Sequence, residues 1–542
     1  MTAPDNAAIA EQLERFAALL DLSGASFYSV RAYRRAAELV RSTPAPIGEL
    51  VRGGRVRELR GIGRGIEARL VELVDTGRIA ELDELEEAVK PELVGFGRLV
   101  GLSPKRVVDV AAALGASTPA ELRDAALAGH LREAPGIGPV GEAKILAALA
   151  HERPAPRRGL VLSQAWSLSE SIAEALGGVT AGDPRRYCDV SNNLAVVVAA
   201  ESPEPVLDRF AVLPQIVTVL ERSAGHAVGV TVDGVPVEVV VAPPERLGTA
   251  LVRATGSEDY VAALGPLPDA PTEEALYRAL GRPYLPPELR EEPPDDTAPA
   301  LVELADVRGD LHVHTTWSDG KASVLEMGLA ARELGYEYVA ICDHTTNVRV
   351  VPGLDADQLR RQSEEIERAN AELAPLRILR GTECDILNDG TLDLPDDVLA
   401  ELDWVQASVH AGQRQSREQL THRMTEAARH PAVRSISHPQ GRIIHHRPPN
   451  AVDLEELFAV CIETGTAVET NGLPDRIDLS AELVRDAVAA GLAITASTDA
   501  HSVRGLGNMR LAIGTARRGR ARAADVINTR PLAELLERSA PR

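Results

Sequence analysis

Histidine and carboxylate residues follow a series of short apolar segments between residues 309 and 501. Seven such segments occur, and six of them end in His, Asp or Glu. The side chains at these ends are His312, His314, Asp343, His344, Glu383, His410, His438, Asp499 and His501. Imidazole and carboxylate ligands without thiolate suit Mn²⁺, Zn²⁺ or Fe²⁺. One such histidine is usually a structural residue, but six segments that end alike predict a metal centre.

The elements that must position these side chains are parallel strands. The apolar segments alternate with predicted helices at Val324–Leu334, Ala356–Leu373 and Ser480–Ala490, and Gly335 and Gly491 follow two of them as C-terminal cap residues should. Seven strand–helix repeats predict a parallel (β/α)7 barrel. Since the C-terminal ends of barrel strands face one mouth, the donors are expected to converge there. A Pro- and acid-rich stretch, Pro286–Pro299, is predicted to be a linker before the barrel.

Length and composition limit the number of domains and the classes of protein to which the chain can belong. A chain of 542 residues predicts roughly three or four domains of ~150 residues each. The sequence has no apolar run of membrane-spanning length and no leader-like start, and its four cysteines form no C-x-x-C pair. We therefore expect a cytoplasmic protein, in a reducing compartment, that does not associate with membranes and is a monomer.

Charge is unevenly distributed along the chain. A net charge of −22 argues against a nucleic-acid partner. Residues 1–150 are nearly balanced in charge, however, with 19 basic and 21 acidic side chains. Within them, the segment from Tyr28 to Leu70 contains ten Arg and four Glu. An arginine-rich helix is often just a solvated surface, so charge alone leaves a nucleic-acid contact open.

Glycine-rich turns in the N-terminal region favour that contact. Two clear Gly-Ile-Gly turns precede predicted helices, with a weaker copy at residues 100–106, and their glycines are Gly61, Gly63, Gly65, Gly136, Gly138 and Gly141. Glycine lets the backbone approach another backbone, and N–H groups at a helix start can hold a phosphate. One such turn is more often a tight helix connection, but repeated turns predict helix-hairpin-helix motifs that bind DNA without reading its sequence.

The order of these parts resembles the bacterial X-family DNA polymerases (PolX) that carry a C-terminal PHP domain. Nearly the whole chain takes part, and the matching segments are residues 30–37, the glycine turns, Gly182 with Arg185 and Arg186, and residues 241–245, 255–257, 286–291 and 308–312. The resemblance implies a multidomain fold: an all-α helix-hairpin-helix domain (1–85), a second, fingers-like hairpin domain (86–155), an α+β nucleotidyltransferase-like palm and thumb region (156–295) and an α/β PHP (β/α)7 barrel (305–542).

The polymerase site of the resemblance departs from the family pattern. Nucleotidyl transfer needs carboxylates that hold two Mg²⁺ ions. In the family an Asp-x-Asp and a third Asp supply them, whereas the aligned positions here are Asn193, Ala195 and Glu238. A shifted alignment offers Asp189, which adds only one carboxylate. We therefore predict that polymerase activity is lost and that the palm remains as a scaffold or a DNA-docking surface.

The PHP resemblance supplies a complete ligand set. It implies up to three divalent metals, with Mn²⁺ preferred, in three sets: His312, His314, Glu383 and Asp499; Glu383, His410 and His438; and Asp319, His344 and His501. Glu383 would bridge two metals, and Glu383, Asp499, His312 and His314 would form the catalytic centre. Asp343 would orient His344 or a strand end. A decayed barrel without metal is the alternative.

Residues around this set are given roles by the same resemblance. Arg442, four residues after His438, is a candidate phosphate clamp, with a surface loop arginine as the alternative. Glu469 and Asn471 end the sixth strand, match no ligand position and are expected to face the substrate. The remaining barrel histidines are taken as surface or substrate-side residues; they are His422, His430, His445 and His446.

Three functions fit these observations. The first is a metal-dependent phosphodiesterase that trims DNA 3′ ends, as a 3′–5′ exonuclease of repair acting on gapped or 3′-ended duplexes. The second is a small-molecule phosphatase of the histidinol-phosphatase type, which leaves the N-terminal 300 or so residues unexplained. The third is a non-catalytic DNA-binding scaffold.

Overall fold

The protein is described here from a computed structural model of the full chain. It describes residues 5–22, 27–88, 104–116, 118–135, 137–139, 141–142, 145–146, 159–295, 297, 299–348 and 351–537. The backbone divides into two compact units. The first contains residues 1–159, 171–179 and 192–242, and the second contains residues 160–170, 180–191 and 243–542. The predicted palm and thumb region, 156–295, thus contributes to both units.

Helices make up the N-terminal part of the first unit. They span Asn6–Leu22, Phe27–Ser42, Ile47–Arg52, Arg64–Thr76, Ala80–Ala88, Pro104–Ala113 and Pro119–Leu127, with 3-10 turns at Val56–Glu58 and His130–Glu133. Their apolar faces form one core that includes Phe16, Val40, Ile47 and Leu70. A second, smaller core surrounds Val110 and Leu131. The described residues of this region are helical, as the apolar periodicity predicts.

A β-sheet completes the first unit. Four of the five strands of this sheet span Leu194–Ala199, Ile216–Ser223, His226–Thr231 and Pro236–Ala242, and the helix Glu204–Ala211 lies between the first two along the chain. The first strand pairs in parallel with the last, while the hairpin of the two middle strands extends the sheet antiparallel. Val196, Val197 and Val239 are fully buried, which explains the continuous apolar runs at these positions.

The second unit begins with short elements around the helix Leu162–Leu176. Leu160–Val161 pairs antiparallel with Val190–Ser191, and Val179–Ala181 is a short strand. The helices that follow span Gly182–Arg185, Leu247–Thr255, Glu258–Leu264 and Glu273–Ala279, with 3-10 turns at Pro244–Arg246 and Pro287–Leu289.

Seven parallel strands form a barrel in the second unit. They are β1 (Gly309–Val313), β2 (Tyr338–Ile341), β3 (Arg377–Asp385), β4 (Trp404–Ser408), β5 (Ser435–Ile436), β6 (Ala467–Asn471) and β7 (Ile494–Ser497), and they neighbour one another in chain order. A parallel bridge between Val313 and Ala500 joins β7 to β1, with the His314 N–H donating to the Ala500 carbonyl at 2.9 Å. The predicted seven-stranded α/β barrel is confirmed.

Helices surround the barrel strands. The α-helices span Val324–Glu333, Ala356–Leu373, Asp396–Leu399, Arg417–Arg429, Leu454–Thr464, Ala481–Ala489, Met509–Arg518 and Leu532–Glu537. The 3-10 turns are Leu304–Asp306, Thr346–Val348, Val503–Asn508, Ala523–Asp525 and Ile527–Thr529. Gly335 and Gly491 have φ of +79° and +85°, as their predicted capping positions require. Among the described residues, no helix combines the length and the apolarity needed to cross a membrane.

The predicted linker Pro286–Pro299 is wrong in its first part. Leu289 is 8% exposed and Arg290 is fully buried, where the Arg290 guanidinium contacts the rings of Tyr277 and Tyr284. The Pro-rich composition therefore reflects an irregular backbone whose first part is packed. Among the described residues, most of the exposed ones lie later in the stretch.

Candidate metal centre

Glu383 lies at the middle of the barrel mouth. It lies two residues before the end of β3, its side chain is 1% exposed, and its two oxygens face different groups of histidines. Oε1 lies 2.8 Å from Nε2 of His438 and 3.4 Å from Nε2 of His410. Oε2 lies 2.9 Å from Nδ1 of His344 and 3.4 Å from Nε2 of His312. This division of its oxygens is what a carboxylate bridging two cations requires.

The first predicted ligand set meets beside Glu383. Nε2 of His314 lies 3.1 Å from Asp499 Oδ1 and 3.6 Å from Glu383 Oε2. Nε2 of His312 lies 3.1 Å from Nε2 of His314 and 3.8 Å from Asp499 Oδ1. All four side chains are nearly or fully buried. The ligand atoms of His312, His314 and Asp499 all lie within 4.8 Å of one another, close enough to share one cation.

The remaining ligand sets also assemble. Asp319, in the loop after β1, lies 3.2 Å from Nε2 of His501 and 3.6 Å from Nε2 of His344. His410 and His438 share Glu383 Oε1, as described above. The structure thus brings all nine sequence-predicted ligands together. Among the described residues, three groups of potential ligand atoms lie within 4.8 Å of one another, and they divide the cluster differently from the predicted sets: His314, Asp319, His344 and His501; His312, His314 and Asp499; and His344, Glu383 and His410.

Glu383, Asp499 and His314 have the ionisation that a divalent cation needs in its ligands. Burial works to raise the pKa of Glu383 and of Asp499, but the histidines around them hold both well below the ordinary range, so both are anionic. Burial and the neighbouring His344 lower the pKa of His314 to about 3, which leaves its ring neutral with a free lone pair. Its Nδ1 is buried and has no hydrogen-bond partner. Converging lone pairs and anions of this kind suit a metal ion.

Glu469 supports the cluster from β6. It is fully buried, and its Oε1 lies 2.7 Å from Nδ1 of His312. Its Oε2 accepts from Ser437 Oγ at 2.8 Å and from the His438 backbone N–H at 2.9 Å. A carboxylate on Nδ1 fixes the tautomer and aims Nε2 at a metal. Sequence reasoning missed this role.

The expectation that the end of β6 faces the substrate is wrong. Glu469 and Asn471 are both fully buried. Asn471 Nδ2 donates to Asp499 Oδ2 at 3.0 Å and to Glu469 Oε2 at 3.1 Å. These side chains are directed into the barrel because alternate residues of its strands point inward. They hold ligands in place.

Asp343 stabilises the loop that carries Asp319. Its Oδ1 accepts from the Thr315 N–H at 2.8 Å and from Ser318 Oγ at 2.5 Å, and its Oδ2 accepts from Gln362 Nε2 at 2.6 Å. Burial raises the pKa of its carboxyl. Asp343 thus organises the segment after β1, and its carboxylate bonds this segment and Gln362 rather than the His344 ring.

Two ligands have unusual backbone geometry. His438 has a φ of +27° and Asp499 a φ of +54°. Residues other than glycine rarely adopt positive φ, and such strain clusters at functional sites. In both cases the turn at the strand end directs the side chain back over the barrel mouth.

The predicted phosphate clamp Arg442 is engaged elsewhere. Its Nη2 contacts Asp189 Oδ2 at 2.6 Å, its Nε donates to the Arg476 carbonyl at 3.0 Å, and it also bonds the Ile477 carbonyl. With these partners its side chain is 14% exposed. Arg442 therefore braces the segment after β6 and does not present a free guanidinium to a substrate.

The four remaining barrel histidines lie outside the ligand cluster. His422 and His446 are exposed, and His430 contacts Asp396 at 3.3 Å. His445 is half-buried with a φ of +66°. Their placement agrees with surface or substrate-side positions.

The predicted polymerase positions lack a ligand cluster. Ala195 is fully buried and lies in register with Glu238 on the parallel neighbouring strand, which is the pairing the alignment implies. The Glu238 carboxylate contacts Nε2 of His226 at 2.8 Å. Asn193 is exposed and precedes the strand. Glu238 is the sole carboxylate among the three aligned residues. Asp189, the alternative, pairs with Arg442 in the second unit.

The first glycine turn has hairpin geometry. Gly61 has a φ of +103°, and Gly63 is the N-cap of the helix Arg64–Thr76. A Cβ at Gly61 or Gly63 would meet no atom within 4 Å, so this backbone is open to a ligand. In the second turn Gly138 is similarly open and Gly141 lies at the start of a helical stretch, while Gly136 lies outside the described residues, as do residues 100–103 of the weak copy.

Comparisons with known proteins agree with this architecture. A helix-hairpin-helix domain family matches residues 4–79, and the PHP domain family matches residues 310–469. The DNA polymerase/3′-5′ exonuclease PolX of Bacillus subtilis is 32% identical to this chain, over 96% of this chain and 97% of that protein. A probable phosphatase of Aliivibrio fischeri is 28% identical over 37% of this chain and 80% of its own length. A probable phosphatase of Acetivibrio thermocellus is 28% identical over 35% of this chain and 78% of its own length. By its hairpin domain, its barrel and its full-length similarity, this chain belongs to the PolX family with a C-terminal PHP domain.

Proposed function

We propose that this protein is a metal-dependent phosphodiesterase that removes nucleotides from DNA 3′ ends through its barrel. The observation that carries the proposal is the nine-residue cluster of imidazoles and carboxylates at the barrel mouth, on the same chain as a helix-hairpin-helix domain. The full-length relative from Bacillus subtilis bears both polymerase and 3′-5′ exonuclease in its name. The cofactor is a divalent cation, and Mn²⁺ suits the mixed nitrogen and oxygen donors.

The residues of the cluster have different roles in the proposed phosphodiester hydrolysis. Bound divalent cations supply an activated water and neutralise charge on the phosphate. Glu383 and Asp499 hold the cations in place as permanent anions, since their pKa values lie well below the ordinary range. His312 is aimed by Glu469, and Asp343 fixes the loop of Asp319. The chain thus contributes a rigid and nearly dry frame.

The hairpins would deliver the DNA end. Backbone N–H groups at Gly63 and in the first turn of the helix Arg64–Thr76 are positioned for a phosphate at a helix N-terminus. Such contacts position a duplex without reading its bases. The expected substrate is therefore a gapped or 3′-recessed duplex of any sequence.

The direct test is a nuclease assay. Purified protein with Mn²⁺ should shorten a gapped duplex labelled at the 5′ end of the strand to be degraded, one nucleotide at a time. His312→Ala should abolish the activity, while His422→Ala, an exposed histidine of the same barrel, should retain it. Degradation that persists in His312→Ala would refute the assignment to the barrel.

We further propose that the polymerase site is inactive. Ala195 and Asn193 cannot bind Mg²⁺ in place of carboxylates. Primer extension with all four deoxynucleotides should be absent in the wild-type chain, and Glu238→Gln should change neither extension nor nuclease rate. Extension by the wild-type protein would overturn this part of the proposal.

A small-molecule phosphatase is the second candidate. It is favoured by the relatives from Aliivibrio fischeri and Acetivibrio thermocellus, which are named probable phosphatases. Rapid hydrolysis of phosphate monoesters without DNA degradation would support it. Binding of gapped DNA without hydrolysis of either substrate would instead indicate a scaffold.

A further inference from the structure

We infer that Arg476 and Arg447 form an anion subsite that binds the substrate phosphate beside the metal cluster. This deepens the proposed function and rests on it. Neither residue belongs to the nine ligands, and Arg476 lies in the segment after β6, five residues beyond Asn471. We call the two residues the arginine pair.

Arg476 is placed at the edge of the cluster. Its Nε lies 3.9 Å from Asp499 Oδ2, which is beyond hydrogen-bond distance. Arg476 therefore lies on the Asp499 side of the cluster, next to the position that a group bound at Asp499 would take.

The Arg476 side chain lacks partners that would satisfy it. It is only 15% exposed, and its Nε is buried with no hydrogen-bond partner. A buried donor without a partner is costly, and the cost is removed when a ligand accepts the hydrogen bond. Among the described residues, Asp499 is the one carboxylate within 4.0 Å of its guanidinium.

The backbone under Arg476 is held rigidly. Arg442 donates from Nε to the Arg476 carbonyl and is anchored by its ion pair with Asp189 at 2.6 Å. The next residue, Ile477, has a φ of +46°, which is strained for a β-branched residue. Rigid support of this kind is expected where a side chain must be held in place for a ligand. Arg442 is thus a positioning residue for Arg476.

Arg447 adds a second positive charge. Its Nε donates to the Gly441 carbonyl at 2.7 Å, and no carboxylate in the described part of the chain lies within 4.0 Å of it. The loop of Arg447 is hydrogen-bonded to the segment of Arg476, because the Ile444 N–H donates to the Asp475 carbonyl at 2.8 Å. Burial, and then the charge of Arg476, lower the pKa of Arg447, while Asp478 and Asp475 work to raise it.

Phosphate is the anion that fits the arginine pair. The planar guanidinium forms paired hydrogen bonds with phosphate oxygens. Arg476 lies next to a cluster suited to divalent cations, and such cations would also attract phosphate. The group held there is therefore the phosphodiester that the cluster hydrolyses, with its non-bridging oxygens facing the arginines.

Substitution of either arginine tests the subsite. We expect Arg476→Gln to lower kcat/KM for gapped DNA by about 10- to 100-fold, the loss of a charge-assisted hydrogen bond. Arg447→Gln should lower it less. Arg476→Lys should recover part of the loss, because the positive charge remains while the planar guanidinium, which can form paired hydrogen bonds, is lost. Arg429→Gln, an exposed arginine paired with Glu426, is the matched control and should behave as wild type.

Inorganic phosphate supplies a readout that does not depend on DNA hydrolysis. Phosphate should raise the melting temperature of the Mn²⁺-loaded wild-type protein, and Arg476→Gln should weaken that effect while Mn²⁺ content stays unchanged. If the wild type degrades no DNA, the proposed function fails, yet this phosphate shift still tests the pair. Unchanged phosphate binding in both Gln variants, or loss of Mn²⁺ from Arg476→Gln, overturns the inference.

Discussion

The contact between Glu469 and His312 makes one predicted metal ligand dependent on a residue outside the predicted ligand sets. The 2.7 Å contact to Nδ1 keeps Nε2 directed at Glu383 and Asp499. We expect Glu469→Gln to weaken Mn²⁺ binding at the first ligand set by about 10- to 100-fold, the usual effect of removing such a partner. Metal titration followed by electron paramagnetic resonance measures this loss.

The control for this change is Glu463→Gln. Glu463 is exposed on the helix Leu454–Thr464, so its substitution removes a charge without touching the cluster. Excess Mn²⁺ should restore much of the nuclease rate of Glu469→Gln. A variant that binds Mn²⁺ as tightly as wild type would contradict the orienting role.

The ligands could be predicted from sequence more readily than their supports. His312, Glu383 and Asp499 are recognisable because their chemistry and their place at strand ends coincide. Glu469 also ends a strand, and only the inward orientation of its side chain, across the barrel from β1, tells a support from a ligand. The sequence predicts Arg442 as a phosphate clamp because it closely follows His438, whereas its ion pair with Asp189 is not visible in the chain order.

At the scale of elements, the first hairpin turn depends on a left-handed glycine. Gly61 has a φ of +103° and open space around its Cα. Gly61→Ala should strain the turn and weaken binding of gapped DNA by roughly tenfold, since a displaced turn misplaces the N–H groups of the next helix. Fluorescence anisotropy with labelled DNA measures the change.

Gly77→Ala separates strain from DNA contact. Gly77 ends the same helix with a φ of +79°, so its substitution carries a comparable conformational cost at the other helix end. Both variants should lose some thermal stability, but only Gly61→Ala should lose affinity. Equal affinities for the two variants would show that the first turn does not touch DNA.

The packing of short helices in the second unit depends on a buried ion pair. Glu273 accepts two hydrogen bonds at 2.8 Å from Arg185 and one at 2.5 Å from the fully buried Arg290. Removing one partner of such a buried group costs about 3 kcal/mol. Glu273→Gln should therefore lower the melting temperature at pH 7, while Glu274→Gln, on the exposed side of the helix, should not.

The ion pairs of Glu273 predict the direction in which the stability of the protein changes with pH. Burial works to raise the pKa of Glu273, but the hydrogen bonds and charges of Arg185 and Arg290 bring it below the ordinary glutamate value. Its stabilisation is thus fully present above the ordinary pKa and is lost as pH falls through the lowered one. The difference in melting temperature between wild type and Glu273→Gln should shrink in acid. A constant difference down to acidic pH would contradict the linkage.

Elements were predicted more accurately than their connections. The helix Ala356–Leu373 has the bounds that its sequence predicts, and the barrel strands occur where the apolar segments lie. Pro286–Pro299 was misassigned because its composition is that of a linker, whereas Arg290 is buried by its stacking on two tyrosines. Local composition does not reveal such long-range packing.

For the whole molecule, DNA binding and DNA hydrolysis should separate on removal of metal. The hairpin glycines belong to the first unit and the nine ligands to the second. We expect a chelator to abolish degradation of gapped DNA while changing its dissociation constant by less than about twofold, because backbone contacts to phosphate need no bound cation. Anisotropy and nuclease assays on the same sample measure both, and a parallel loss of binding would contradict this division.

The bridge between Val313 and Ala500 has a consequence for biosynthesis. It joins the strand of His312 and His314 to the segment of Asp499 and His501, so the cluster combines the first and last parts of the barrel sequence. The ribosome synthesises these parts in order, so His312 and His314 are made before Asp499 and His501. We therefore expect a chain that terminates before residue 499 to lack the proposed hydrolytic activity, because Asp499 and His501 are missing from its cluster.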